Sequence, residues 1–185
     1  MDGAAPGTRQ LWILRHAEAT PGTPFGGRDR DRPLTDRGRA DATALGARLV
    51  EGTPPLGTPG LVLPTAALCS AALRTLQTAE TVLGPLGDRV RLEAYRSLYS
   101  AEPAAVLSRV GEVDDDPASV LVVGHNPTVS HLTFDLLADD VDGRRRLGSR
   151  GLSTCSLAVV ELAVTVWTDA ADGCGTLLAL FRPPY

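Results

Sequence analysis

The sequence predicts an α/β fold in three layers, with helices packed on both faces of a largely parallel sheet. Two observations carry this. Leu11-Trp12-Ile13-Leu14 and Val120-Leu121-Val122-Val123 are short continuous apolar runs, the pattern of strands buried on both faces. Around them, amphipathic stretches of helical period alternate with further apolar runs, as strand–helix–strand units require.

Residues 1–9 read as a flexible tail ahead of a single domain over 10–185, a length that builds one substantial core. The first apolar run stops at Arg15-His16, and a loop rich in Gly, Pro, Arg and Asp follows from Thr20 to Pro33. Thr35 caps a helix that sets Ala42, Leu45 and Leu49 on one face. Gly52 and Pro54 end it. Ala66 to Ser70 reads as a second buried strand. A helix over about 72–84 follows, with Leu73, Leu76, Ala79 and Leu83 inward, and Gly84-Pro85 stops it. Val90 to Ala94 reads as a third strand and Pro103 to Val110 as a short helix. Val120 to Val123 is the central strand; after Gly124-His125-Asn126-Pro127 comes a helix with Val129, Leu132 and Leu136 on one side. Arg144-Arg145-Arg146 reads as a solvated charge run in a loop. Ser156 to Leu162 and Thr176 to Phe181 supply the last two strands.

Composition excludes several function classes. Net charge is −4, which argues against a nucleic-acid binder with a basic face. All 18 basic residues are Arg, so Schiff-base chemistry and a P-loop lysine are ruled out. Cys69, Cys155 and Cys174 are odd in number and far apart, which fits buried thiols better than disulfides or a zinc ribbon. No apolar stretch reaches the roughly 20 residues that span a bilayer, and the first ten residues lack the apolar run of a signal peptide. A cytoplasmic location is the expectation.

Two strands end alike, one delivering Arg15-His16 and the other Gly124-His125. A third leads into a helix whose first turn carries Arg74. Ligands of open α/β sheets bind at the carboxyl ends of strands. If these strands are parallel, two imidazoles and two guanidinium groups meet in a cationic cup, and its natural guest is a phosphate. Burying such groups without an anionic partner is costly. His131, on the helix after the second histidine turn, reads as an ordinary surface or core residue.

The residues at these strand ends carry a family resemblance. Leu14-Arg15-His16-Ala17-Glu18-Ala19 resembles the RHG signature of the histidine phosphatase superfamily, which includes phosphoglycerate mutases. Arg32-Pro33-Leu34-Thr35-Asp36-Arg37-Gly38 resembles its PLT-x-x-G turn. Ser70 to Ala79 resembles its S-x-x-x-R-x-x-Q-T-A segment, and Val123-Gly124-His125-Asn126-Pro127 its GHNP turn. The four blocks keep the family's order over residues 11 to about 130. Length and the closing segment, from Leu152-Ser153-Thr154 to Arg182-Pro183, look most like the short SixA-type phosphohistidine phosphatases.

The resemblance implies a phosphoglycerate mutase-like α/β/α sandwich, mostly parallel, with an antiparallel edge strand. It implies that His16 becomes phosphorylated and that Arg15, Arg74 and His125 bind the phosphoryl oxygens. No cofactor and no metal are expected. The sequence departs from the pattern at Ala17, where the family has glycine, and at Gly22, where many members have asparagine. Ser100, in Leu98-Tyr99-Ser100-Ala101, stands where a glutamate is expected. Glu18 and Glu102 are the remaining candidates for a proton donor, and Arg28 is the candidate rim residue for substrate.

A missing acid tilts the substrate toward a phosphoramidate such as phosphohistidine on a protein, whose nitrogen leaving group can depart already protonated. A phosphomonoesterase acting on a sugar or nucleotide phosphate is the alternative. A mutase is disfavoured without the acid and the specificity insertions. A metallohydrolase built on His16, Glu18, His125 and His131 would set a cation among arginines. A non-catalytic phosphate-binding module would have no use for a nucleophilic histidine.

Overall fold

Strand β1 (Arg9–Arg15) is fully buried from Gln10 to Leu14, and its consecutive side chains point to opposite faces. Leu11 and Ile13 join one apolar cluster; Trp12 and Leu14 join another. That division sets the architecture of the whole chain, of which the computed structural model describes residues 7–22, 26–51 and 57–185.

In chain order the remaining elements are α1 (Asp36–Val50), β2 (Ala66–Ser70), α2 (Leu73–Leu83), β3 (Arg91–Tyr95), α3 (Pro103–Val110), β4 (Ser119–Gly124), α4 (Thr128–Leu136), α5 (Val141–Leu147), β5 (Leu157–Leu162) and β6 (Gly175–Phe181). The strands form one sheet in the order β3-β2-β4-β1-β5-β6. β3, β2, β4 and β1 are parallel; β5 runs antiparallel to β1, and β6, at the edge, antiparallel to β5. Leu45 and Leu49 of α1 and Ala79 and Val82 of α2 cover the face with Trp12 and Leu14. Val106 and Val110 of α3 and Leu132 and Leu136 of α4 cover the face with Leu11 and Ile13. The result is the expected three-layer sandwich.

Register brings the chemistry to one edge. Arg15 on β1 lies opposite Gly124 on β4, and Cys69 on β2 lies opposite Val123. The residues that follow, His16, His125 and Ser70, therefore leave the sheet side by side at its carboxyl end. The cap at Thr35 forms as the sequence requires, its hydroxyl accepting from the Gly38 amide at 3.0 Å.

Three local readings change. Residues 1–6 of the expected tail lie outside the described residues, and Arg9 already belongs to β1, its guanidinium paired with Asp116 at 2.5 Å. Arg144-Arg145-Arg146 sits in α5, not in a loop; Asp140 caps that helix by accepting from Gly143, and Arg146 donates to the Leu177 carbonyl at 2.9 Å. In α2, Leu73 is 37% exposed, and the inward face carries Arg74, Thr75, Thr78, Ala79, Val82 and Leu83. Cys69 and Cys155 are buried and Cys174 half-buried, none in a disulfide. Among the described residues no helix is long and apolar enough to cross a membrane.

Candidate active site

His16 leaves β1 with its amide donating to the Gly124 carbonyl at 3.1 Å and its own carbonyl accepting from the Cys155 amide at 3.1 Å. Its backbone is thus held between β4 and the segment entering β5. Its Nδ1 lies 2.8 Å from the Ala17 carbonyl oxygen. A carbonyl only accepts, so the proton is on Nδ1 and the lone pair is on Nε2. Burial, and then the charges of Arg74, Arg15 and Arg32, lower the His16 pKa to about 4, against the Ala17 hydrogen bond, which favours the cation. The imidazole is neutral at neutral pH.

The His125 ring stands 5.2 Å from that of His16, centroid to centroid. Its Nε2 is 2.8 Å from the Ser70 hydroxyl, while Nδ1 is buried and unpaired. Burial, with Arg74 and His16 adding to it, lowers its pKa to about 3. The Nε atoms of Arg15 and Arg74 are likewise buried without a partner. Three polar atoms on three separate strand ends or helix turns thus lack the hydrogen bonds that buried groups ordinarily make.

One terminal nitrogen of Arg15 and both of Arg74 are engaged. Arg15 donates from Nη1 to the Leu152 carbonyl at 2.9 Å. Arg74 donates to the Asp29 carbonyl at 2.9 Å and to its carboxylate at 3.1 Å. Asp29 accepts further from Tyr99 at 2.5 Å and from Arg32 at 2.8 Å. These contacts, Tyr99 foremost, hold the Asp29 pKa near 2. The Tyr99 ring packs 5.4 Å from that of His125, edge on, and 5.7 Å from the Arg74 guanidinium carbon.

The motifs brace one another. From α2, Gln77 accepts from the Leu34 amide at 2.8 Å and Thr78 accepts from the Ala17 amide at 3.0 Å, so one helix turn ties together both preceding loops. A Cβ on Gly38 would stand 2.1 Å from the Glu18 carbonyl oxygen, so the first turn of α1 needs a residue without one there. Asn126 donates to the Leu152 carbonyl that Arg15 also uses, and Ser130 links Asn126 to the Leu152 amide.

The structure thus gathers His16, Arg15, Arg74 and His125. It does not bring Glu102 to them: that side chain is exposed at the start of α3, beside a surface hollow shared with Leu132 and Asp135. Glu18 is adjacent in sequence, but its carboxylate accepts from the Thr35 hydroxyl at 2.9 Å. Arg28 is exposed on a neighbouring cleft, and His131 is exposed on α4, apart from the other two histidines. Sequence reading missed Asp29, Tyr99 and Ser70 as site residues. Asp29 and Tyr99 lie in segments without periodicity, and only Ser70 was signalled, as the last residue of a buried strand. No group of three or more His, Cys, Asp or Glu side chains that could hold a metal ion occurs among the described residues.

The chain is similar to several known proteins. The model of the histidine phosphatase superfamily (branch 1) matches residues 11–97. A Mycobacterium tuberculosis protein with no assigned activity is 32% identical over 173 residues, covering 92% of this chain and 99% of the relative. A solved structure from Nakamurella multipartitia, named as a putative phosphohistidine phosphatase SixA, is 30% identical with a TM-score of 0.74, over 97% of this chain and 98% of that one. A protein histidine phosphatase SixA complexed with tungstate shares the fold at 24% identity, with a TM-score of 0.70 over 94% and 97% of the two chains.

Proposed function

This chain belongs to the histidine phosphatase superfamily, and we propose that within it the enzyme removes the phosphoryl group from phosphohistidine on a protein, through a phosphorylated His16. One observation carries the choice of substrate. Among the described residues, the candidate carboxyl groups are engaged in other contacts or lie apart from the site. Asp29 is held ionised down to about pH 2 by Tyr99 and the arginines, Glu18 accepts a hydrogen bond from Thr35, and Glu102 lies on a separate surface hollow. An alkoxide leaving group needs a proton donor; a phosphoramidate nitrogen departs with its own proton.

In this reading His16 Nε2 attacks phosphorus in line, and the bond from phosphorus to the substrate imidazole breaks. The Nδ1–H bond to Ala17 keeps the attacking lone pair on Nε2. The unpaired Nε–H groups of Arg15 and Arg74 and the Nδ1 of His125 receive the equatorial oxygens. For His125 to donate from Nδ1 while neutral, Ser70 must donate to its Nε2. Water then attacks phosphorus on His16, releasing inorganic phosphate and the neutral imidazole.

The test compares a histidine-phosphorylated peptide with a sugar phosphate under identical conditions. The reading expects kcat/KM on the peptide to exceed that on the sugar phosphate by at least about 10²-fold, the usual contribution of a general acid. Equal or reversed preference assigns the enzyme to small-molecule phosphomonoesters instead.

A further inference from the structure

Leu73 is exposed because its neighbour Arg74 takes the inward position on α2. It lines a cleft of about 450 Å3 beside the phosphate site. Leu73 and Leu76 give the cleft an apolar wall. Its rim carries guanidinium groups from two separate segments: Arg28 and Arg30 from the stretch before α1, and Arg96 from the single turn Arg96–Tyr99 that follows β3. Tyr99 forms the partition, lining the cleft while its hydroxyl donates to Asp29 and its ring packs on His125.

The charge of this cleft is not balanced from within. Its one acidic lining residue, Asp31, already lies 3.4 Å from Arg28 and 4.0 Å from Arg30. Arg96 has no carboxylate partner among the described residues. By contrast Arg9, Arg39, Arg109 and Arg145 each pair with a carboxylate at 2.7 Å or less. Three guanidinium groups against one carboxylate leave this mouth net positive in a chain of net charge −4. Leu73 and Tyr99, each 37% exposed, put apolar surface directly against it.

We propose that this cleft docks the polypeptide flanking the phosphohistidine, taking an acidic side chain at Arg96 and Arg30 and an apolar one on Leu73 and Leu76. The inference rests on the reading of the enzyme as a protein phosphohistidine phosphatase. Charge complementarity selects an acidic segment. The outward-facing leucine wall selects a macromolecular surface over an enclosed metabolite.

The experiment uses two histidine-phosphorylated peptides of one length, one with Glu and Leu flanking the phosphohistidine and one with Ser in place of each Glu. Phosphate release is measured with the whole protein and with Arg96→Gln and Leu73→Ala. The expected result is about tenfold higher kcat/KM on the acidic peptide, carried by KM, with kcat shared. Arg96→Gln removes most of that preference and leaves the Ser peptide unaffected, and raised salt erodes it. Leu73→Ala raises KM on both peptides at unchanged kcat. Equal kcat/KM on the two peptides, or a preference that survives Arg96→Gln, overturns the inference and leaves the phosphatase reading standing. Turnover of neither peptide overturns the parent reading, and the docking site with it. Equal peptides together with an Arg96-dependent preference for a carboxylated over a neutral aryl phosphate assign the cleft to small molecules and overturn the docking of a polypeptide.

Discussion

Helices α1 and α2 cover the same face of the same sheet, yet they turn inward for different reasons. The buried face of α1 is Gly38, Ala42, Leu45, Gly46 and Leu49, small and apolar throughout. The buried face of α2 is polar in its first half, Arg74, Thr75 and Thr78, and apolar in its second, Ala79, Val82 and Leu83. The two cross closely, and a Cβ on Gly46 would come within 2.9 Å of the Val82 carbonyl oxygen. The first turn of α2 is phased by chemistry and the rest by packing. Apolar periodicity reads α1 correctly and mis-phases the start of α2, where Leu73 is displaced to the surface by the burial of Arg74.

If that division is right, substitutions on the two helices separate activity from stability. Arg74→Ala should lower kcat/KM by about 10²–10³-fold, the scale of losing one charge-stabilising donor in a transition state. Its unfolding midpoint should stay near that of the parent. A similar loss from Leu45→Ala would erase the distinction, so both are to be measured for turnover and for denaturant unfolding.

Leu45→Ala should do the reverse. Leu45 is fully buried, and its truncation should cost about 2–5 kcal/mol of stability. Turnover per folded molecule should stay within about twofold, because sites that share no partner are nearly additive. Chemical denaturation followed by circular dichroism, with activity corrected for the folded fraction, checks both halves.

The smallest effect concerns pH. His16 and His125 are held near pKa 4 and 3, below the ordinary 6.5, so the unfolded chain binds protons over this interval before the folded one does. Their contribution to stability is complete above pH 6.5. It is lost as pH falls from there toward 4 and 3, by about 2 kcal/mol for each histidine at pH 5. Asp29 adds a separate window: its stabilisation is present above pH 3.8 and disappears as pH falls through 2. Thermal unfolding between pH 8 and 4 should show the decline in the parent and in Leu45→Ala alike, and a shallower one in His125→Ala. An identical slope in all three would place the buried histidines outside the linkage.

How much of this was legible before the structure depends on what each feature needs. Strand ends are legible because an apolar run that stops at Arg15-His16 or Gly124-His125 marks both burial and direction. The meeting of these residues follows from parallel register, Arg15 against Gly124. The Asp29 clamp on Arg74 was not legible: it joins positions 45 residues apart through a loop of mixed charge. Nor was α5, where three successive arginines hide a helix of about two turns that an Asp140 cap initiates. The roles of Gln77 and Thr78 could be read only as a motif, since bonds to the Leu34 and Ala17 amides appear once α2 is docked.

The central claim is that the phosphoryl group passes through His16. Mixing the protein with excess phosphoramidate, quenching in alkali within milliseconds and mapping the peptides by mass spectrometry tests it most directly. The account predicts one base-stable, acid-labile phosphate on the peptide containing His16, absent from His16→Ala, which should be inactive. Label on a different residue, or undiminished turnover by His16→Ala, would contradict it.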